Sequence, residues 1–235
     1  MPTFTHLHTA SGFSPRYGAS HPAALAERAA ERGLDALALT DRDSLAGAVR
    51  FAKACAAQGV RPLFGADLAV RPAAPQDGTR GPAGAAPRPA PSTPSTPSTR
   101  ASAPSTRRTA PSIRPAVPAR GGAFVDESAP RAVFLARDGA AGWADLCRLV
   151  STAHASDTGA PLLDWDDNHG DGLVVLLGPD SEVGRALAAG RPDLAARLLV
   201  PWREAYGDGL RLEVVHHGRT GTGPGSLRHA ARTLG

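Results

Sequence analysis

Across residues 4–67 short apolar runs alternate with helical stretches, and each run ends on polar residues able to do chemistry. Residues 4–8 read as a first strand, 36–40 as a second and 60–70 as a third, broken by Gly65. Between them, residues 21–32 form an Ala-rich helix that Gly33 ends, with Ser20 as its N-cap and Pro22 tolerated in the first turn. Ser44 is placed to cap a second helix over residues 45–58, and Gly59 stops it. The run at 36–40 is continuous rather than alternating, as expected of a parallel strand covered on both faces. A βαβαβ succession with connections this short brings its strand ends to one rim. That rim carries Thr5-His6-Leu7-His8-Thr9, Thr40-Asp41-Arg42-Asp43 and Gly65-Ala66-Asp67. His6 and His8, two residues apart, project to one side of a strand. Imidazoles presented together at a strand end are a start for a divalent-metal site; the alternative is a pair of ordinary polar residues at a strand terminus.

Residues 73–120 are different material. They hold 11 of the 22 prolines and a PSTPSTPSTR near-repeat, with Ile113 and Val117 as their large apolar residues. Such a segment buries too little surface to offset its ordering entropy, so a disordered insert is expected, dividing the domain into 1–72 and 121–235. The insert also explains the net charge of +4, because it carries seven arginines against Asp77. The remainder has 19 basic and 21 acidic residues and lacks the basic stripe that nucleic-acid binding needs. After the insert the alternation resumes, with strands at 132–136, 173–177 and 210–215. Helices are expected at 140–155, 181–189, 192–206 and 224–234. Asp164, Asp166, Asp167 and Asp171 fall in a loop that reads as a solvated turn. Cys55 and Cys147 lie in helices without metal-type spacing and read as buried thiols of a reducing cytoplasm. No apolar run approaches the roughly 18 residues of a membrane span, and the first residues lack a signal peptide's pattern.

Residues 5–20 (THLHTASGFSPRYGAS) followed by 36–70 (ALALTDRDSLAGAVRFAKACAAQGVRPLFGADLAV) resemble the start of a PHP (polymerase and histidinol phosphatase) domain. The match is to the N-terminal domain of bacterial C-family polymerases, the DNA polymerase III alpha subunit and its error-prone relatives. It resumes at Arg131-Ala-Val-Phe-Leu-Ala-Arg, Gly142-Trp-Ala-Asp-Leu-Cys-Arg-Leu, Gly172-Leu-Val-Val-Leu-Leu-Gly and Leu210-Arg-Leu-Glu-Val-Val-His-His-Gly. The resemblance implies a distorted (β/α) barrel of the PHP type, C-terminally truncated, in which strand-end histidines and carboxylates hold divalent metals for phosphoester hydrolysis. His6 and His8 stand at the family's first two histidines, and Asp67 where glutamate is usual. Tyr17 stands in place of an acid, Arg42 and Arg131 in place of histidines, and Pro179 in place of a cysteine, while the closing Asp-x-His is absent. Guanidinium cannot ligate a metal, and Arg42 is expected to pair instead with Asp41, Asp43 or Asp67 and neutralise the ligand cavity. His6, His8 and Asp67 are therefore expected to be a remnant site, holding zinc or manganese weakly or not at all.

The expected role is structural: a cytoplasmic PHP module supporting a polymerase body or other replication and repair proteins, touching DNA only indirectly. Two other readings compete with it. One is a free-standing PHP phosphoesterase or exonuclease, and the other a DNA- or partner-binding module acting through the basic insert.

Overall fold

Five strands form one mixed sheet in the computed structural model, which describes residues 4–72, 128–167 and 170–215. They are β1 (Ala36–Arg42), β2 (Arg61–Ala69), β3 (Arg131–Ala136), β4 (Leu173–Leu177) and β5 (Leu210–Leu212), side by side in chain order. β1 pairs parallel with β2, and β4 with β5, while β3 runs antiparallel to both its neighbours. The α/β class expected from the sequence holds, and β3 is where the sheet departs from a uniform βα succession. An antiparallel pair needs no crossover, and here the chain leaving β2 meets the chain entering β3: the Val70 N–H donates to Pro130 O at 2.9 Å.

Side chains alternate across each strand, so the sheet has two faces with separate cores. On one face, α1 (Pro22–Glu31) and α2 (Ala48–Gln58) bury Ala26, Ala29, Phe51 and Cys55 against Leu37 and Leu39 of β1. The same face of β2 to β4 presents Leu68, Phe134 and Val175. These pack beneath α3 (Gly139–His154), α4 (Glu182–Ala188) and α5 (Pro192–Tyr206), which contribute Leu146, Leu149, Val183 and Trp202. The opposite face holds a smaller cluster of Ala38, Val133, Leu135 and Leu176, with no helix in it.

That second face is concave. Residues 6–9 run alongside β1, where the Ala38 N–H donates to His6 O and the Thr40 N–H to Thr9 O. Six neighbouring segments laid flat would separate the outer two by about 24 Å. Yet His8, on the first, is hydrogen-bonded to Glu213, just past β5, at 2.9 Å. The sheet must curl to bring these edges together.

Several local details differ from the sequence reading. Residues 4–8 make one isolated bridge to β1, from His6 to Leu37, in place of a full strand. His21 caps α1 in place of Ser20, its Nδ1 accepting from the Ala23 N–H. α2 starts at Ala48, because Ser44 bonds the Ala46 N–H in a preceding turn. β5 stops at Leu212. Cys147 is only half-buried, whereas Cys55 is buried and its thiol is pushed up to about 11 by desolvation. Gly65 does not break β2. A Cβ there would lie 2.6 Å from Phe134 O and 2.8 Å from Thr40 Cγ2, so its lack of a side chain permits the close packing of three strands. The expectations for residues 73–120 and 224–234 lie outside the described residues. No helix among the described residues is long and apolar enough to cross a membrane.

Gly65→Ala is expected to destabilise the protein by about 1–3 kcal/mol through overpacking, read as a lower urea midpoint at unchanged m-value. Joining Pro72 directly to Gly121 is expected to leave the thermal midpoint unchanged or slightly raised. The Val70–Pro130 contact already holds the flanks together, and loop-closure entropy varies slowly with length; loss of a cooperative melt in calorimetry would contradict this.

Candidate functional site

The rim where β1, β2, β4 and β5 end and β3 begins surrounds a cavity of about 450 Å³. Val133, Leu176 and Val215 make its apolar lining, and His8, Tyr17, Arg42, Asp67, Arg131, Asp180 and Glu213 its polar part. The strand register explains the grouping. Arg42 pairs with Asp67 across β1 and β2, and Asp67 pairs with Val133 across β2 and β3, with Arg131 two residues before Val133. All four therefore share the concave face.

Asp67 is the centre of this group. Arg42 Nε donates to its Oδ2 at 2.9 Å and Arg131 Nε to its Oδ1 at 3.0 Å, so each carboxylate oxygen receives a guanidinium. Arg131 Nη2 also donates to Asp67 O at 2.6 Å and to Asp43 Oδ1 at 2.8 Å. The side chains of Asp67, Arg131 and Arg42 are 8%, 10% and 14% exposed, so these pairs are mostly removed from water. Burial works against the charge on Arg131, but Asp67 and Asp43 outweigh it and hold its pKa above the ordinary value. The Arg42 guanidinium lies 3.6 Å above the Tyr17 ring and 3.8 Å from Asp180.

Asp41, next to Arg42 in β1, faces the other way. Its carboxylate accepts from the Ser11 N–H and Oγ and from Ser14 Oγ at 2.7 to 3.0 Å. Ser14 Oγ in turn accepts from the Arg42 N–H. These buried bonds fix the loop that carries Tyr17. Asp43 has a left-handed backbone, φ 52°, and its carbonyl oxygen lies 2.6 Å from His154 Nε2 at the end of α3.

The PHP domain family matches residues 6–217. This chain belongs to the PHP domain family. The PHP domain is 29% identical over 241 residues to a DNA polymerase III subunit alpha of Xylella fastidiosa (strain Temecula1), covering 94% of this chain and 16% of that protein. It is 32% identical over 223 residues to an error-prone DNA polymerase of Mycolicibacterium paratuberculosis, covering 92% and 16%. The chain thus spans about one-sixth of the length of these curated relatives. Among solved structures, a candidate metal-dependent phosphoesterase from Bifidobacterium adolescentis aligns at a TM-score of 0.34 and 16% identity, over 66% of this chain and 34% of that one.

Of the three residues expected to form a remnant metal site, His8 and Asp67 line the cavity and His6 does not. The exposed His6 packs edge-on against Phe4, 4.9 Å between ring centroids. His8 Nδ1 is engaged by Glu213, and both Asp67 oxygens by arginine. Among the described residues no group of three His, Cys, Asp or Glu side chains is placed to hold a metal ion. The donor set of this PHP domain does not fit a divalent-metal cluster. Glu213, Ser11 and Ser14 were given no role by the sequence reading, and Asp43, open there as a partner for Arg42, pairs with Arg131 instead. Glu213 carried a usable signal, as the acid inside the apolar run at 210–215.

The His8–Glu213 contact has a defined pH dependence. Desolvation lowers the His8 pKa, but the Glu213 hydrogen bond and the charges of Glu213, Asp67 and Asp180 outweigh it and raise it above 6.5. A group with a raised folded pKa contributes fully below its unfolded pKa and loses that contribution as pH rises through the folded one. The stability gap between wild type and His8→Gln should therefore be largest near about pH 6 and shrink as the pH is raised from there, in urea melts across a pH series.

Proposed function

We propose that this chain is the N-terminal PHP module of a bacterial polymerase of the III alpha or error-prone type. In this reading it serves DNA replication or error-prone repair synthesis in the cytoplasm as a structural support for the polymerase body, and it lacks the family's hydrolytic chemistry. Homology over more than nine-tenths of the chain to polymerases of both kinds supports the assignment. The engagement of Asp67 by two arginines supports the structural role. A multi-metal hydrolase needs one cation to activate water and another to hold the leaving oxygen. Here the rim's central carboxylate has no free oxygen to offer, and the residues beside it bring fixed positive charge.

A free-standing phosphoesterase is the competing reading, and an activity assay separates the two. The purified chain with added manganese or zinc is expected to leave aryl phosphates and single-stranded DNA at background rates. A chimera carrying residues 1–235 in place of the matching region of the Mycobacterium tuberculosis error-prone polymerase is expected to extend a primer. Metal-dependent turnover by the wild-type chain, abolished in His8→Ala, would overturn the structural reading.

A further inference from the structure

We infer that Arg42 and Arg131 are the resident cations of an acidic rim, held there in place of divalent metal and closing the cavity to it. Four carboxylates, Asp43, Asp67, Asp180 and Glu213, surround the same end of the sheet. Grouped carboxylates with a nearby imidazole attract divalent ions. Left alone they would also repel one another, and mostly buried ones are costly without a partner. In this domain the partners are covalently part of the chain. Arg131, at the start of β3, reaches Asp67 on β2 and Asp43 after β1, while Arg42, from β1, takes the remaining oxygen of Asp67. Each arginine presents fixed N–H donors and stays protonated at any working pH.

Two features make the arrangement exclusive. The first is occupancy: a metal would have to displace a guanidinium to reach either Asp67 oxygen, and Glu213 to reach His8 Nδ1. The second is charge. An incoming divalent ion would sit within a few ångströms of two paired guanidiniums, of which Arg42 is held by packing as well, since Tyr17 covers it. This inference takes the PHP assignment as given but is independent of the scaffold role, because a domain could exclude metal and still serve another purpose.

The test compares metal binding and metal-dependent stability in the full chain. Wild type, incubated with zinc or manganese and desalted, is expected to retain substoichiometric metal by mass spectrometry. Its thermal midpoint should be the same in EDTA and in excess zinc. Arg42→His removes one unit charge and adds an imidazole. It is expected to bind zinc about ten-fold or more tightly than wild type in calorimetric titration, since a unit charge about 4 Å away opposes a divalent ion by that much even in water-like screening. The double variant Arg42→His, Arg131→His should melt higher in zinc than in EDTA. Should the double variant fail to fold with and without zinc, Arg42→His and the wild-type measurements decide. Stoichiometric metal on wild type, a midpoint lowered by EDTA, or a folded Arg42→His that binds zinc no better than wild type would each overturn the inference. Metal bound without turnover would do so while leaving the proposed function standing; turnover would end both.

Discussion

The rim of this domain depends on one carboxylate shared by two guanidiniums. Asp67 projects from β2, whose neighbours β1 and β3 supply Arg42 and Arg131. Three strand ends from distant parts of the chain are thereby tied at a single group. Arginine suits this role because its planar fork can bond two acceptors at once, as Arg131 does with Asp67 and Asp43, and because it cannot neutralise itself by losing a proton. Removing one member of such a set would leave an uncompensated buried charge, a change that costs about 3–5 kcal/mol in comparable pairs. The network is thus rigidly specified even where its net contribution to stability is small.

Curvature of the sheet decides which residues belong to that network. Because successive side chains face opposite ways, Asp41 and Arg42 serve different surfaces although they are adjacent. Asp41 binds the Ser11–Ser14 loop and Arg42 enters the cavity. The curl carries residues 6–9 round toward the end of β5, where His8 meets Glu213. It also leaves a small apolar cluster on the concave face beneath the charged rim, so the cavity combines an apolar floor with polar walls.

A PHP fold with this rim separates architecture from chemistry. The strand ends still converge and still carry acids and an imidazole, but the positive charge among them is supplied by the chain itself. The core does not depend on the rim for its bulk: Phe51, Phe134, Leu146, Leu149 and Trp202 lie under the helices on the opposite face.

Much of the fold was legible along the chain. The alternation of apolar runs and helices placed every strand from β1 to β4 to within a few residues, and Gly33 and Gly59 ended their helices with the left-handed backbone expected of them, φ 67° and 69°. These are local matters of periodicity and backbone freedom, written in consecutive residues. The substitution of arginine at positions 42 and 131 was equally visible, with Asp41, Asp43 and Asp67 all open as partners for Arg42. Only the tertiary structure chose among them. Arg42 and Asp67 are 25 residues apart, Arg131 and Asp67 64, and His8 and Glu213 205. Which of these groups meet depends on strand register, on the face each residue takes and on the curl of the sheet, and those follow from long-range pairing that no local stretch of sequence encodes.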